Sequence, residues 1–133
     1  MDKFSGLANG SGMFYPAGFF VALMPDGATA SAAAADLRDK SFGDVREFTP
    51  QELLEHTEQI KANRSFFDRL SVALSESEVP AALALSRVQQ GCHAVLAQAN
   101  SEDDVKRLRE LMARHPANMT AYWGKWRVSV YNA

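Results

Sequence analysis

The chain contains a single cysteine, Cys92, among its 133 residues. One thiol cannot form a disulfide within the chain, whereas small secreted domains generally depend on several. Long apolar runs are also missing, because the most apolar early stretch, residues 19–24, is far shorter than the about 20 residues that cross a bilayer. No secretory signal follows the first residues. These features predict a soluble cytoplasmic protein without a membrane partner.

The sequence has no excess of basic residues. It holds 14 Lys and Arg against 16 Asp and Glu, for a formal net charge of −2. Domains that bind nucleic acid usually concentrate positive charge on one face. RNA recognition on a sheet also uses exposed aromatic residues on the central strands, and residues 92–99 contain none. The sequence therefore predicts no nucleic-acid partner.

Motifs for phosphate binding, dinucleotide binding and nucleophilic catalysis are missing as well. Cys92 and His93 are neighbours on a predicted strand, so their side chains point to opposite faces and do not form a catalytic or metal-binding pair. Cys92 is instead predicted to be a small buried residue. The sequence assigns no catalytic residue, no metal and no cofactor.

The composition is that of a folded domain, with 47% hydrophobic and 23% charged residues. This length corresponds to one domain with a core of ordinary size. Residues 1–16 contain three glycines and predict a flexible N-terminal arm. Residues 17–133 are predicted to form a single α+β domain.

Strand and helix patterns alternate along that domain. Residues 19–24 are apolar throughout, which predicts a central strand covered on both faces. The alanine-rich segment 28–41 predicts a helix that Gly43 ends as the left-handed C′ residue. One stripe of this helix holds Ala30, Ala33, Ala34, Leu37 and Ser41. A half-exposed strand at 44–48 comes next. Residues 50–90 predict an insertion of two amphipathic helices, the first opened by a capping box of Thr49 and Glu52. A strand at 91–99, a helix after the acidic residues 102–104 and a strand at 119–131 complete the chain.

The resulting order is β-α-β, two helices, then β-α-β. It predicts a ferredoxin-like four-stranded antiparallel sheet with helices on one face and a two-helix insertion in the middle.

Two parts of the chain carry a family resemblance. Each part has the plan strand, helix, strand. In the first part the strand at 19–24 is followed by the alanine-rich helix and then by residues 42–45 at the start of the next strand. In the second part the strand at 91–99 is followed by a helix and then by the strand that contains residues 122–126. With this plan the chain resembles the small bacterial stress-response domains of the heat-induced general stress protein type, over residues 18–48 and 91–131. The resemblance implies a stress-associated role and supplies no catalytic residues. Such relatives often carry a glycine-zipper insert, whereas this chain has no glycine between Gly43 and Gly91.

The stretch 121–131 holds both tryptophans and two of the three tyrosines. In one unbroken strand, a single face would hold Trp123, Lys125, Arg127, Ser129 and Tyr131. Gly124 also predicts a bulge or bend, which would exchange the faces of the residues after it. Interleaved aromatic and basic residues are suited to stacking a planar ligand. Aromatic residues are equally favoured on strands for packing against helices or a second subunit.

Two functions stay open on this basis. The first is a non-catalytic stress-associated or interaction protein that self-associates as a homodimer, because the amphipathic insertion and the aromatic strand offer more apolar surface than one small sheet covers. The alternative is a small-molecule-binding or enzymatic dimeric ferredoxin-like domain. Its pocket, between sheet and helices, would take a small apolar or planar ligand. The residues predicted to line it are Phe19, His93, Trp123, Trp126 and Arg127.

Overall fold

A computed structural model describes residues 16–61, 84, 86–124 and 128–132. The described chain is α+β, as predicted, and its five strands form one antiparallel sheet in the order β2-β3-β1-β4-β5. Residues 84 and 86–89 are also helical. The elements are β1 (Phe19–Met24), α1 (Gly27–Asp39), β2 (Val45–Phe48), α2 (Pro50–Lys61), β3 (His93–Gln98), α3 (Glu102–Met112), β4 (Met119–Trp123) and β5 (Val128–Asn132).

Strand β1 is the centre of the molecule and is buried at all six positions, as its unbroken apolar pattern predicted. Its residues alternate between the two faces of the sheet. We call the face of Phe20, Ala22 and Met24 the first face, and α1 and α3 pack against it. We call the face of Phe19, Val21 and Leu23 the second face. The sheet therefore has a hydrophobic core on each side.

Helix α1 lies close to the first face because its buried residues are small. The predicted stripe is confirmed at four positions, Ala30, Ala33, Ala34 and Leu37, each at most 2% exposed. Asp26 caps the helix, because its carboxylate accepts a hydrogen bond of 2.8 Å from the Thr29 backbone N–H.

The end of α1 differs from the prediction. Ser41, not Gly43, has the left-handed conformation, with φ of 70°. The backbone N–H of Ser41 donates to the Arg38 carbonyl, and that of Phe42 donates to the Leu37 carbonyl, which is the Schellman arrangement. This turn places Phe42, which is 8% exposed, in the first-face core. Burial of Phe42 offsets the conformational cost at Ser41.

Helix α2 begins with the capping box that the sequence predicted. The Thr49 N–H donates to Glu52 Oε1 at 2.9 Å, and the Glu52 N–H donates to Thr49 Oγ1 at 3.1 Å. Leu53 of α2 and Val88 are buried on the second face. The described parts of the 50–90 insertion therefore pack on their own sheet. The predicted second helix lies largely outside the described residues.

Helix α3 follows the prediction closely. Ser101 caps it by accepting from the Asp104 N–H at 3.2 Å, and residues 102–104 place three acids in its first turn. Its buried residues are Leu108, Leu111 and Met112, with Val105 partly buried beside them.

The predicted last strand, 119–131, is wrong in one respect: it is two strands. Trp123 pairs with Val128, so the chain reverses direction between them and β5 becomes a fifth strand beside β4. A continuous strand of that length would extend about 43 Å, whereas the six residues of β1 span about 20 Å. The second half of such a strand would have no partner in the sheet, and folding back provides one.

The predicted arm, 1–16, lies outside the described residues except for Pro16. Pro16 is buried, and its carbonyl accepts a hydrogen bond of 3.0 Å from the Phe19 N–H. Gly18, with φ of 83°, occupies the turn position that requires this conformation. Chain entry into β1 is therefore fixed by a tight turn.

Candidate functional site

Strand β5 forms one edge of the sheet and is unusual in its side chains. None of its residues, Val128–Asn132, is charged. Val130 is 39% exposed and Tyr131 is 36% exposed, and in the described part of the chain no other large apolar side chain is exposed. Natural edge strands usually carry charges or proline that discourage pairing with another chain. Strand β5 has neither.

The opposite edge, β2, is charged. Arg46 binds Asp44 through two hydrogen bonds of 2.9 Å, and Arg38 of α1 binds Glu47 at 3.2 Å. The hydrogen bonds from Arg46 lower the pKa of Asp44, and the same bonds raise the pKa of Arg46. Edge β2 therefore has the charged character that protects a sheet, and β5 does not.

Tyr131 is held in place by two neighbours. Its ring stacks on that of Phe20, with centroids 6.1 Å apart and planes at 13°. The guanidinium carbon of Arg109, on α3, lies 4.1 Å from the centroid of the Tyr131 ring, within the range of a cation–π contact. Tyr131 is thus a positioned aromatic residue with an exposed surface.

The hairpin also changes which residues share a face. The expectation for an unbroken strand, with Trp123 on the side of Ser129 and Tyr131, is wrong. The faces are exchanged after Gly124, as the alternative expectation had it, but the cause is a reversal of the chain and not a bulge within one strand. The register pairs Trp123 with Val128, so both belong to the second face, while Tyr131 lies on the first face against Phe20. Trp123 and Val128 are five positions apart, so an unbroken strand would place them on opposite faces, whereas pairing across the hairpin places them on the same face.

Two of the five predicted pocket residues lie together. Phe19 and Trp123 are paired across β1 and β4 on the second face, where they are 5% and 3% exposed. The guanidinium carbon of Arg46 lies 5.2 Å from the Phe19 ring centroid. Trp126 and Arg127 lie outside the described residues.

His93 lies on the other side of the sheet. It pairs with Met24 on the first face, and its ring lies against the start of α1, where a Cβ added to Gly27 would approach His93 Cε1 to 3.1 Å. The structure therefore does not bring His93 to Phe19 and Trp123. Cys92 is 3% exposed and belongs to the second-face core, so the predicted separation of Cys92 from His93 is confirmed.

Two further polar contacts join separate elements. His115 Nε2 lies 3.0 Å from Asp36 Oδ2, which ties the chain after α3 to α1. Asn118 Nδ2 donates to Cys92 Sγ at 3.2 Å. The described residues contain no group of three or more His, Cys, Asp or Glu side chains placed to bind a metal ion. Among those same residues, no helix has the length and apolarity to span a membrane.

Comparison with known proteins gives no match: no protein-family model, no curated protein and no solved structure matches this chain. The resemblance to general stress proteins stays a prediction. The geometry of β5 is what the sequence reasoning missed. The signal available in the sequence was the excessive length of the 119–131 strand beside a six-residue β1.

Proposed function

We propose that this chain is a non-catalytic interaction protein of the stress-associated kind, and that its working unit is a homodimer in the cytoplasm. The observation that carries the proposal is the pair of adjacent exposed apolar residues, Val130 and Tyr131, on an uncharged sheet edge. Fully burying a large apolar side chain stabilises by about 1.5–3 kcal/mol, so covering the exposed third of each stabilises by about 1 kcal/mol per residue. Val130 pairs with Ala121 of the second face and Tyr131 lies on the first face, so a two-fold contact along the edge of β5 would bring partner side chains beside both residues.

The proposal includes a ferredoxin-like plan for β1 to β4. The order of elements along the chain and the neighbour order β2-β3-β1-β4, antiparallel throughout, support it. Strand β5 would then be an addition beside β4. Strand β5 then replaces β4 as the outer strand on this side of the sheet, and the exposed side chains of Val130 and Tyr131 belong to it.

Self-association is tested by native mass spectrometry and by light scattering after size exclusion, from low to high micromolar concentration. The expected result is a dimer whose fraction rises with concentration. A monomer throughout that range would refute the proposal. Both methods report the mass of the intact chain, so no assumption about a ligand enters the test.

The second candidate function is binding of a small planar or apolar ligand. Phe19 and Trp123, which pair across β1 and β4, and the Arg46 guanidinium over the Phe19 ring support this candidate as the described side of a pocket. Both aromatic side chains are buried, so a ligand would lie beside this core and not on an exposed ring. Native mass spectrometry would detect a retained molecule as an added mass. If Trp126→Ala loses that mass and keeps the circular dichroism of the native fold, this candidate is favoured over the first.

A further inference from the structure

We infer that β5 is the dimer interface itself: it pairs antiparallel with β5 of a second copy about a two-fold axis and joins the two sheets into one. This inference rests on the proposed self-association and names the surface that produces it. The partner is a second copy of this chain.

The backbone of β5 provides the first argument. One side of the strand pairs with β4, from Trp123 and Val128 through Ala121 and Val130. In an antiparallel ladder every second residue directs its N–H and C=O away from the partner strand. Among the strands that the structure describes, none lies beyond β5 to bind these groups. Two identical strands related by a two-fold axis run antiparallel, so each donates and accepts the same set of hydrogen bonds.

Charge selects β5 over β2 as the paired edge. Two β5 strands bring no charged side chains together, because Val128–Asn132 contains none. Pairing through β2 would disturb the Arg46–Asp44 and Arg38–Glu47 ion pairs, which already use its charged residues. When β5 of one copy pairs with β5 of a second copy, the contact uses both strands and the assembly ends as a dimer. When β5 of one copy pairs with β2 of the next, each copy keeps an unused edge and the assembly continues into a filament. The difference between the two edges therefore favours a closed dimer.

Helix α3 provides a complementary charge distribution. Its first turn, Glu102 to Asp104, is acidic, and Arg109 lies further along, over Tyr131 of β5. A two-fold axis through the β5 pair sets the two copies of α3 antiparallel. The acidic first turn of each α3 is then directed toward the Arg109 end of the other α3 and away from the other acidic turn, which reduces repulsion across the interface.

The expected interface is small. A standard interface buries about 800 Å² per partner, and a pair of five-residue strands with flanking side chains supplies less. The pairing of β5 with β4 is regular from Val128 to Val130. Its register shifts between Thr120 and Ala121 of β4, opposite the last residues of β5. Transient complexes occupy this low end of the size range, so we expect a dimer that dissociates on dilution.

Val130→Lys tests the interface directly. Lysine at the centre of the edge would place two like charges near the two-fold axis. We expect at least a tenfold weaker dimer, measured by sedimentation equilibrium, with unchanged circular dichroism because Val130 is already exposed. The matched control is Ser31→Lys, which adds the same charge at an exposed position of α1. Equal dimerisation of the two folded variants would overturn the inference.

Cysteine cross-linking tests the pairing geometry and does not depend on the Val130 variant folding. Cys92→Ala removes the only thiol, and single cysteines are then placed in turn at 128–131. A symmetric disulfide needs Cβ atoms about 3.5–4.5 Å apart, so cross-linking should peak at the position nearest the axis and fall on either side. Ser31→Cys is the control and should not cross-link.

The outcomes separate the two proposals. A dimer that resists Val130→Lys and does not cross-link through β5 refutes the β5 interface and leaves self-association standing. A monomer refutes both. A dimer weakened by Val130→Lys but lacking a cross-link peak at 128–131 overturns antiparallel pairing about an axis at β5.

Discussion

Replacing Ser41 with glycine should stabilise this protein. Ser41 is exposed and has φ of 70°, and no other non-glycine residue in the described part of the chain has positive φ. Its N–H closes the end of α1 on the Arg38 carbonyl, and the next N–H, that of Phe42, binds the Leu37 carbonyl. Glycine adopts this conformation without the contact between Cβ and the following carbonyl that penalises L-residues.

The size of the effect is the difference of two terms. The left-handed conformation costs an ordinary residue about 1–2 kcal/mol. Glycine also loses more backbone freedom on folding than serine does, which reduces the gain in unfolding free energy by about 0.5–1 kcal/mol. Ser41→Gly should therefore raise the free energy of unfolding by about 0.5–1 kcal/mol. For a chain of this length that raises Tm by roughly 2–4 °C.

Gly43→Ala is the matched comparison. Gly43 does not have positive φ, and a Cβ added there meets nothing within 4 Å. Alanine at 43 should therefore be neutral or stabilise by a few tenths of a kcal/mol through the unfolded state. The sequence-based assignment of Gly43 as the left-handed residue predicts the opposite, a loss of about 1 kcal/mol.

Urea unfolding followed by circular dichroism, at one fixed protein concentration, distinguishes the two assignments. Concentration is fixed because self-association adds to apparent stability. If Ser41→Gly leaves the unfolding midpoint unchanged or lower while Gly43→Ala destabilises, the reasoning about the end of α1 is refuted.

Three further predictions concern other local features. Gly91→Ala should lower the free energy of unfolding by about 0.5–1 kcal/mol, because Gly91 has φ of 102° and the strain of alanine in that conformation exceeds the backbone entropy that alanine saves. No atom lies within 4 Å of an added Cβ, so crowding does not contribute, and an unchanged urea midpoint would contradict this prediction. Thr49→Ala should cost about 1 kcal/mol in the same assay by removing the cap of α2, and Glu52→Gln, which keeps an acceptor, should cost less. The pKa of Asp44 is lowered by its bond to Arg46, so this bond stabilises the fold at pH values above the ordinary carboxyl pKa. The stabilisation is lost as the pH falls through the lowered pKa of the folded protein. Asp44→Asn should therefore destabilise the fold at pH 7 and differ less from wild type as the pH falls below about 4. A difference in unfolding free energy that stays constant from pH 7 to pH 3 would contradict that linkage.

The candidate site was predictable only in part. The sequence singled out the aromatic segment 121–131, and Trp123 and Tyr131 from it do occupy defined places in the sheet. A shared face was the expectation for an unbroken strand, and it failed because the chain reverses after Trp123; an irregularity at Gly124 was the alternative that exchanges the faces. Of the five residues predicted to line a pocket, Phe19 and Trp123 are neighbours in the sheet and His93 lies on its other face, because a strand position alone does not reveal which face a residue shares with a distant strand.

Local chemistry determined the elements of this protein. The capping box at Thr49 and Glu52, the acidic start of α3 and the alanine stripe of α1 are interactions among residues within a few positions of each other, and periodicity reveals them. Only the tertiary structure decided that the chain reverses after Trp123 to give β5, that Ser41 takes the left-handed turn so that Phe42 reaches the core, and that the exposed Val130 lies on a sheet edge. Each of these depends on which distant residues supply partners and space, and those partners are fixed only when the whole sheet assembles.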